Sequence, residues 1–226
     1  MEKYGKLERS IAKKLDAFPA IRRSAKKAYQ RFNYWMYRNN TKVDLHTEIK
    51  NRSLKISVND ECIPYFFGYY DKTPWSCDMK SILVNRIKKS RVEVIRISNK
   101  NQAQVIGNSS AWNYQQGSMT QWIADDIVVY NDIQNKRLGT CVVNVADETE
   151  RFVPWPIQTV HPSGRKALCL NYKRLYKIRP EYGYEPEVEN FSADASPEND
   201  GVWKVNLGAS KAELVISLSH LCAHHP

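Results

Sequence analysis

The sequence lacks most of the short motifs that identify an enzyme or a metal site. Its five cysteines form no C-x-x-C pair, and no histidine lies at zinc-ligand spacing from them, which excludes the common zinc patterns. It also has no phosphate-cradling glycine loop, no G-x-S-x-G and no D-x-D pair. Nucleotide binding, serine hydrolysis and one common form of metal-dependent glycosyl transfer therefore find no support. Function has to follow from the fold.

Long apolar runs are missing as well. No stretch approaches the roughly 18 apolar residues of a membrane-spanning helix, and the start, "MEKYGKLERSIAKKLDAF", lacks the apolar core of a secretion signal. The cysteines are odd in number and scattered, and several lie in apolar runs, where a free thiol acts as a small hydrophobic group. The sequence predicts a cytoplasmic protein that does not cross a membrane.

Nearly all of the net positive charge lies at one end of the chain. Residues 1–42 hold 12 Lys and Arg against three acidic residues, a net charge of +9 out of the total of +10. The rest of the chain is therefore electrostatically ordinary. No nucleic-acid reader motif accompanies the basic segment, so we predict no nucleic-acid partner.

The basic leader, residues 1–42, reads as helical. Leu7, Ile11, Leu15 and Phe18 fall at helical spacing before Pro19, and a second stripe follows at Ile21, Ala25, Ala28, Phe32 and Met36. The cluster "FNYWMY" at 32–37 suits a lipid headgroup zone. Two interpretations stay open. The leader either rests on an anionic membrane at the inner membrane face or packs against its own domain with its charges in solvent.

The body, residues 43–226, is predicted to be mainly β. Three segments share a large apolar residue, a short polar turn and a buried run; they are "WSCDMKSILVNRI" (75–87), "WIADDIVVYNDI" (122–133) and "VHPSGRKALCLNY" (160–172). A strand, hairpin and strand follow each one, which makes about four strands per unit. This period favours a β-propeller of about three blades, with each buried run as the innermost strand, covered on both faces. A small open β-sandwich is the alternative.

The same segments carry a resemblance. "FGYYDKTPWS", "AWNYQQGSMTQWI", "VVYND", "VPWPIQTVHPSG" and "NYKRLYKIRPEYGY" resemble an uncharacterised family of bacterial β-propellers. That family is associated with surface-polysaccharide gene clusters, is often labelled glycosyltransferase, and is related to oligogalacturonate-lyase-like and Tol-type propellers. The resemblance covers about residues 60–220 and implies a carbohydrate-related role. It carries over no lyase histidine, so we assign no metal ligand and leave the cofactor unknown.

Three blades do not close a propeller. We therefore expect the chain to be the first part of a longer one. In that fold the segments that precede the innermost strands meet at the mouth of the central channel. Their aromatic and amide groups predict a glycan or a glycosylated intermediate as the ligand, bound by Tyr69, Tyr70, Trp112, Gln115, Gln116, Gln121, Gln158 and Arg174.

Catalysis is left open by the sequence. Asp71 and His161 are the candidate acid and base, provided that their loops meet. The long excursion that holds Arg174, Arg179, Tyr182 and Tyr184 is either a lid that binds an acidic sugar or a variable surface loop. Glycan binding or processing in surface-polysaccharide biosynthesis is the predicted function. A non-catalytic interaction scaffold at the membrane surface is the alternative.

Overall fold

The chain is mainly β, as predicted. The computed structural model describes residues 65–100, 102–184 and 197–224, together with seven helical residues between 24 and 36. Within these ranges, twelve strands form three antiparallel sheets of four strands each. The first sheet holds β1 (Tyr65–Phe66), β2 (Ser81–Lys88), β3 (Arg91–Ser98) and β4 (Ala103–Ser109). The second holds β5 (Gln121–Ala124), β6 (Ile127–Gln134), β7 (Arg137–Asn144) and β8 (Thr149–Val153).

The third sheet differs from the others by a helical insertion. Its strands are β9 (Thr159–Val160), β10 (Lys166–Cys169), β11 (Gly201–Asn206) and β12 (Lys211–Ser217). Helix α1 (Tyr172–Ile178) lies between β10 and β11, and α2 (Leu218–His224) follows β12. Neither helix was predicted. Asn171 starts α1 because its side-chain oxygen accepts a hydrogen bond from the backbone N–H of Arg174 at 3.1 Å. No helix in the described part of the chain is both long and apolar enough to cross a bilayer.

The sequence pattern shared by the three segments corresponds to the same strand pairing in each sheet. In each unit the large apolar residue faces the buried run across the turn, in the pairs Trp75–Ile82, Trp122–Val128 and Val160–Ala167. The buried runs are therefore the second strands, β2, β6 and β10. The prediction that they are the innermost strands was wrong, because each buried run lies between two neighbouring strands and β1, β5 or β9 occupies the edge of its sheet.

The second sheet is buried on both faces. Val128 and Tyr130 point to a core shared with Leu83 and Val94 of the first sheet. Val129 points the opposite way, to a second core that includes residues of the third sheet. Alternating side chains of β6 thus serve two cores, which explains its unbroken apolar run.

In the described part of the chain, the third sheet is covered on one face only. Ala167 and Cys169 are buried against the second sheet, whereas Leu168 between them is 42% exposed. The ion pair between Lys204 and Glu213, 2.9 Å apart, lies on the same face as Leu168. The prediction that the run 167–170 is covered on both faces was therefore wrong.

Two compact units divide the chain, residues 1–53 and 54–226. In the first unit the described helical residues include Tyr29, Phe32, Trp35 and Met36, which are 45–65% exposed. The rest of the predicted leader lies outside the described residues, and the predicted boundary at residue 42 stays a prediction.

Candidate functional site

All predicted site residues except His161 lie toward one end of the sheets, which we call the entry end. Here the chain enters β5 and β9, and here β6 turns into β7 and β10 leads into α1. The segment 182–184, which follows α1, connects the loops at this end. The rings of Tyr182 and Tyr69 meet edge to face with centroids 6.3 Å apart. The Gly183 carbonyl accepts a hydrogen bond from the Asn113 amide at 3.2 Å.

A buried polar network lies beneath these loops. The Asn131 amide donates to the carbonyl of Ile157 at 2.9 Å and to the hydroxyl of Tyr184 at 3.1 Å. The Tyr172 hydroxyl donates to the Ile157 carbonyl or to the Gln158 amide oxygen, each at 2.8 Å. The rings of Tyr172 and Tyr184 stack with centroids 4.6 Å apart. Burial raises the pKa of both phenols, so both stay protonated.

A cleft of about 840 Å³ opens at the entry end between the second and third sheets. Its lining includes a pair of indoles, Trp155 and Trp203, whose ring centroids lie 5.4 Å apart. Other lining residues come from the β6–β7 turn, the start of α1 and the segment before β11; they include Asn135, Lys136, Arg137, Asn171, Tyr172, Lys173, Arg174 and Asp200. The volume lies within the usual range for small-molecule sites.

The described lining of the cleft includes one acidic group, Asp200, and its carboxylate is hydrogen-bonded to neighbouring protein groups. The Asp200 carboxylate accepts hydrogen bonds from Arg174 Nε at 2.7 Å, from the Asn171 amide at 2.8 Å and from the Gly201 backbone N–H at 2.8 Å. Four basic side chains also line the cleft, Lys136, Arg137, Lys173 and Arg174. The lining is therefore positive overall and suits an anionic ligand.

A second group of residues, all aromatic except Gln116, lies at the same end. We call Tyr69, Tyr70, Trp112, Tyr114, Gln116 and Tyr182 the aromatic surface. Tyr70 is 85% exposed and Tyr114 75% exposed. The ring centroids of Tyr69 and Tyr70 lie 4.2 Å apart, and those of Trp112 and Tyr114 lie 5.1 Å apart. The hydrogen bond with Tyr70, with a smaller effect of desolvation, raises the pKa of Tyr69 to about 12.

The predicted glutamines have different environments. Gln115 and Gln116 follow a tight turn in which their backbone N–H groups donate to the Asn113 side chain. The Gln116 side-chain oxygen is buried without a hydrogen-bond partner among the described residues. Gln121 instead accepts from the backbone N–H of Val160 at 3.3 Å and so links the second and third sheets. Gln158, bonded to Tyr172, lies in the buried network.

The candidate acid and base are not brought together. Asp71 lies on the excursion between β1 and Trp75, and its carboxylate pairs with Lys72 at 2.7 Å. His161 lies in the turn between β9 and β10, at the opposite end of the third sheet from the entry end. There its Nδ1 accepts from the Ser163 backbone N–H at 3.1 Å. The role of His161 in this structure is to close a turn.

Sequence reasoning placed Arg174 at a site and Trp155 in a segment at the channel mouth, but it did not assign Trp203, Lys136 or Arg137. Trp203 lies in a strand whose sequence indicates only β structure, and Lys136 and Arg137 belong to an ordinary hairpin turn. No sequence signal marks them, because the cleft exists only through the packing of two sheets. Among the described residues, no cluster of three or more His, Cys, Asp or Glu is arranged to hold a metal ion.

Comparisons with known proteins give structural likenesses alone. No family model and no curated protein matches the chain. An oligogalacturonate lyase from Vibrio parahaemolyticus is 9% identical, with a TM-score of 0.47 over 70% of this chain and 42% of that one. An oligogalacturonate lyase in complex with manganese is 11% identical, with a TM-score of 0.47 over 68% and 41%. A TolB-like protein from Agrobacterium tumefaciens is 13% identical, with a TM-score of 0.44 over 69% and 49%.

This chain spans less than half the length of each of these three structures. They are the two kinds of protein that the sequence resemblance named. At these identities and scores the likeness carries nothing about activity, and the association with surface-polysaccharide gene clusters stays a prediction.

Proposed function

We propose that the β unit binds an acidic carbohydrate in the cleft between the second and third sheets. The observation that carries this proposal is the pair of indoles, Trp155 and Trp203, on the wall of a cleft with four basic side chains. Indole faces cover the apolar C–H surface of a sugar ring, and Lys or Arg pairs with a carboxylate.

We also propose that the three sheets are consecutive blades of a β-propeller. Each sheet is a four-stranded meander in chain order, and the second is packed on both faces. Stacked meanders around an axis are what this architecture requires. A role in surface-polysaccharide biosynthesis is part of the proposal and rests on the sequence resemblance.

Binding is favoured over turnover. Asp71 pairs with Lys72 and His161 closes a turn at the other end of its sheet. The cleft carboxylate, Asp200, accepts three hydrogen bonds that fix the cleft wall. A general base needs a free lone pair within reach of the proton that it removes.

An array of neutral and acidic oligosaccharides, followed by calorimetric titration of the full chain, tests the proposal. We expect uronate-containing glycans to bind, and Trp155→Ala to weaken binding about tenfold or more through the lost stacking face. Arg137→Gln should weaken it several-fold. The matched control is Arg165→Gln, since Arg165 is exposed in the turn between β9 and β10 at the opposite end. No binding to any acidic glycan, or equal loss in the control, would contradict the proposal.

A second candidate function is attachment to an anionic membrane at its cytoplasmic face, as a scaffold. Its support is the exposure of Phe32 and Trp35, whose rings lie 6.5 Å apart on helical residues of a segment with a net charge of +9. Exposed aromatic groups beside basic ones favour the headgroup region. We expect the full chain to bind phosphatidylserine vesicles at low salt and Phe32→Ser with Trp35→Ser to abolish binding. Equal binding by the double variant would contradict it.

A further inference from the structure

Helix α2 carries two histidines one turn apart. His220 and His224 are separated by four residues, a spacing that places both side chains on the same face of a helix. Both residues are exposed, and their imidazole centroids lie 4.3 Å apart with the ring planes tilted by 34°. The spacing is visible in the sequence "HLCAH", but the rings meet only because this segment is helical.

The start of α2 is fastened to the β unit. The backbone N–H of Leu218 donates to the Asp200 carbonyl at 2.8 Å, and that of His220 donates to the hydroxyl of Ser217 at 3.1 Å. The hydroxyl thus caps the first turn, whose N–H groups have no acceptor within the helix. A helix of seven residues is marginal on its own. These bonds therefore help to hold the two histidines at helical spacing.

A hydrogen bond orients one of the two imidazoles. Nδ1 of His224 lies 2.9 Å from the backbone carbonyl oxygen of His220. A carbonyl oxygen can only accept, so Nδ1 carries the proton, and in the neutral ring Nε2 keeps its lone pair. Histidines that bind metal ions commonly donate their other ring N–H to a carbonyl in this way, which fixes the tautomer and the ring orientation. His224 is therefore arranged as a metal ligand through Nε2.

The separation of the rings suits a single metal ion. Zn–N bonds are about 2.0–2.1 Å long, so two nitrogens on one zinc ion lie no more than about 4.2 Å apart. Imidazoles with centroids 4.3 Å apart are within reach of that separation. Imidazole nitrogen is a good ligand for zinc, copper and nickel, whereas magnesium and calcium prefer oxygen. Among the residues that the structure describes, no third His, Cys, Asp or Glu joins the pair.

We propose that His220 and His224 together bind a divalent transition-metal ion of the zinc, copper and nickel class. The two imidazoles supply two ligands, and water fills the remaining coordination positions. Helix α2 contributes no residue to the lining of the carbohydrate cleft. The metal site is therefore independent of the proposed function, and either one can fail without the other.

Calorimetric titration of the full chain with Zn²⁺ tests the proposal. We expect saturable binding, and His220→Gln and His224→Gln should each lower the affinity about tenfold or more, since the loss even of a group that orients a ligand costs about 10–100-fold. The matched control is His161→Gln, which should keep the affinity. His161 lies in the turn between β9 and β10, at the opposite end of the third sheet from α2.

Two further variants test the geometry. Ser219→His with His220→Gln keeps two histidines in α2 but spaces them five residues apart, about 140° around the helix. Its affinity for Zn²⁺ should fall to that of His220→Gln. Cys222 is two residues from each histidine and so lies on a different face of α2. Cys222→Ser should therefore keep the affinity, which separates the histidine site from binding by an exposed thiol.

Thermal unfolding separates metal binding from folding. Both histidines are exposed, so without metal the single variants should unfold at the same temperature as the unaltered protein. Saturating Zn²⁺ should raise the midpoint of the unaltered protein and of His161→Gln, and leave that of His220→Gln unchanged. No binding of Zn²⁺, equal affinity in both single variants and the unaltered protein, or full affinity at the altered spacing would overturn the proposal.

Discussion

The side chain of Asn131 hydrogen-bonds both backbone groups of Ile157. Its amide nitrogen donates to the Ile157 carbonyl at 2.9 Å, and its oxygen accepts from the Ile157 N–H at 2.8 Å. The oxygen also accepts from the hydroxyl of Thr140. One buried residue of β6 therefore fixes the segment that enters the third sheet, and with it one wall of the cleft.

Asn131→Ala should destabilise the protein strongly. It leaves several buried backbone and side-chain groups without partners, at about 1–3 kcal/mol for each unsatisfied group, so we expect a loss of about 3–4 kcal/mol. Urea unfolding followed by circular dichroism measures the loss. The control is Asn99→Ala at an exposed turn, which should change stability by no more than about 0.5 kcal/mol. Similar losses in the two variants would show that the network contributes little.

Gly107→Ala should lower stability through a clash between sheets. A Cβ at this position would lie 2.1 Å from the hydroxyl oxygen of Tyr130, a fully buried residue of the second sheet. Overpacking of this kind costs about 1–3 kcal/mol. Gly208→Ala is the matched control, since the nearest atom to its Cβ lies at 3.5 Å. A thermal midpoint lowered equally by both changes would count against the packing of the first two sheets described above.

Stability should fall in acid partly because of Glu93. Burial alone would raise the pKa of this carboxyl, but hydrogen bonds and ion pairs from Lys88 and Arg86 hold it below the ordinary value of 4.5. As the pH falls, the unfolded chain binds the proton before the folded protein does. The stabilisation that ionised Glu93 provides is therefore complete above about pH 4.5 and is lost as the pH falls through its lower pKa in the folded protein. The gap in unfolding free energy between the unaltered protein and Glu93→Gln should therefore shrink from about pH 7 to about pH 3. A gap independent of pH would contradict this assignment.

The described cysteines should differ sharply in reactivity. Burial raises the pKa of the Cys141 thiol well above its usual range and that of Cys169 to about 12, whereas Cys77 and Cys222 are exposed. The thiolate is the reactive form. Iodoacetamide followed by peptide mass spectrometry should show Cys77 and Cys222 labelled in the native protein and the other two only after unfolding. Labelling of all four at similar rates would mean that the two cores open readily.

Local patterns in the sequence were enough to predict the sheets. The turn and buried run of each repeat fix β2, β6 and β10, because alternation and turn chemistry act over a few residues. The strand order within each unit required one further step, the pairing of Trp75, Trp122 and Val160 with those runs. The prediction that the buried runs are the innermost strands was wrong because β1 and β9, which are only two residues long, leave almost no signal in the sequence.

The site was less predictable because its contacts are distant in sequence. Asn113 bonds Gly183, 70 residues away, and no local pattern indicates that meeting. One usable signal was overlooked. Asn85 and Asn131 follow the buried runs of the first two repeats and hold loops in both, since the Asn85 amide donates to the Phe67 carbonyl at 2.6 Å. A repeated buried asparagine indicates a structural hydrogen bond.

The most direct test of the cleft as a carbohydrate site is to follow the indole N–H signals of the full chain by two-dimensional NMR during titration with galacturonate oligomers. We expect the Trp155 and Trp203 signals, each assigned through its Trp→Phe variant, to shift saturably with one dissociation constant. The Trp122 signal should stay unchanged, since its indole donates to the Pro74 carbonyl at 3.0 Å, away from the cleft. Shifts at Trp122 without shifts at Trp155 and Trp203, or no shift at any of them, would contradict the account.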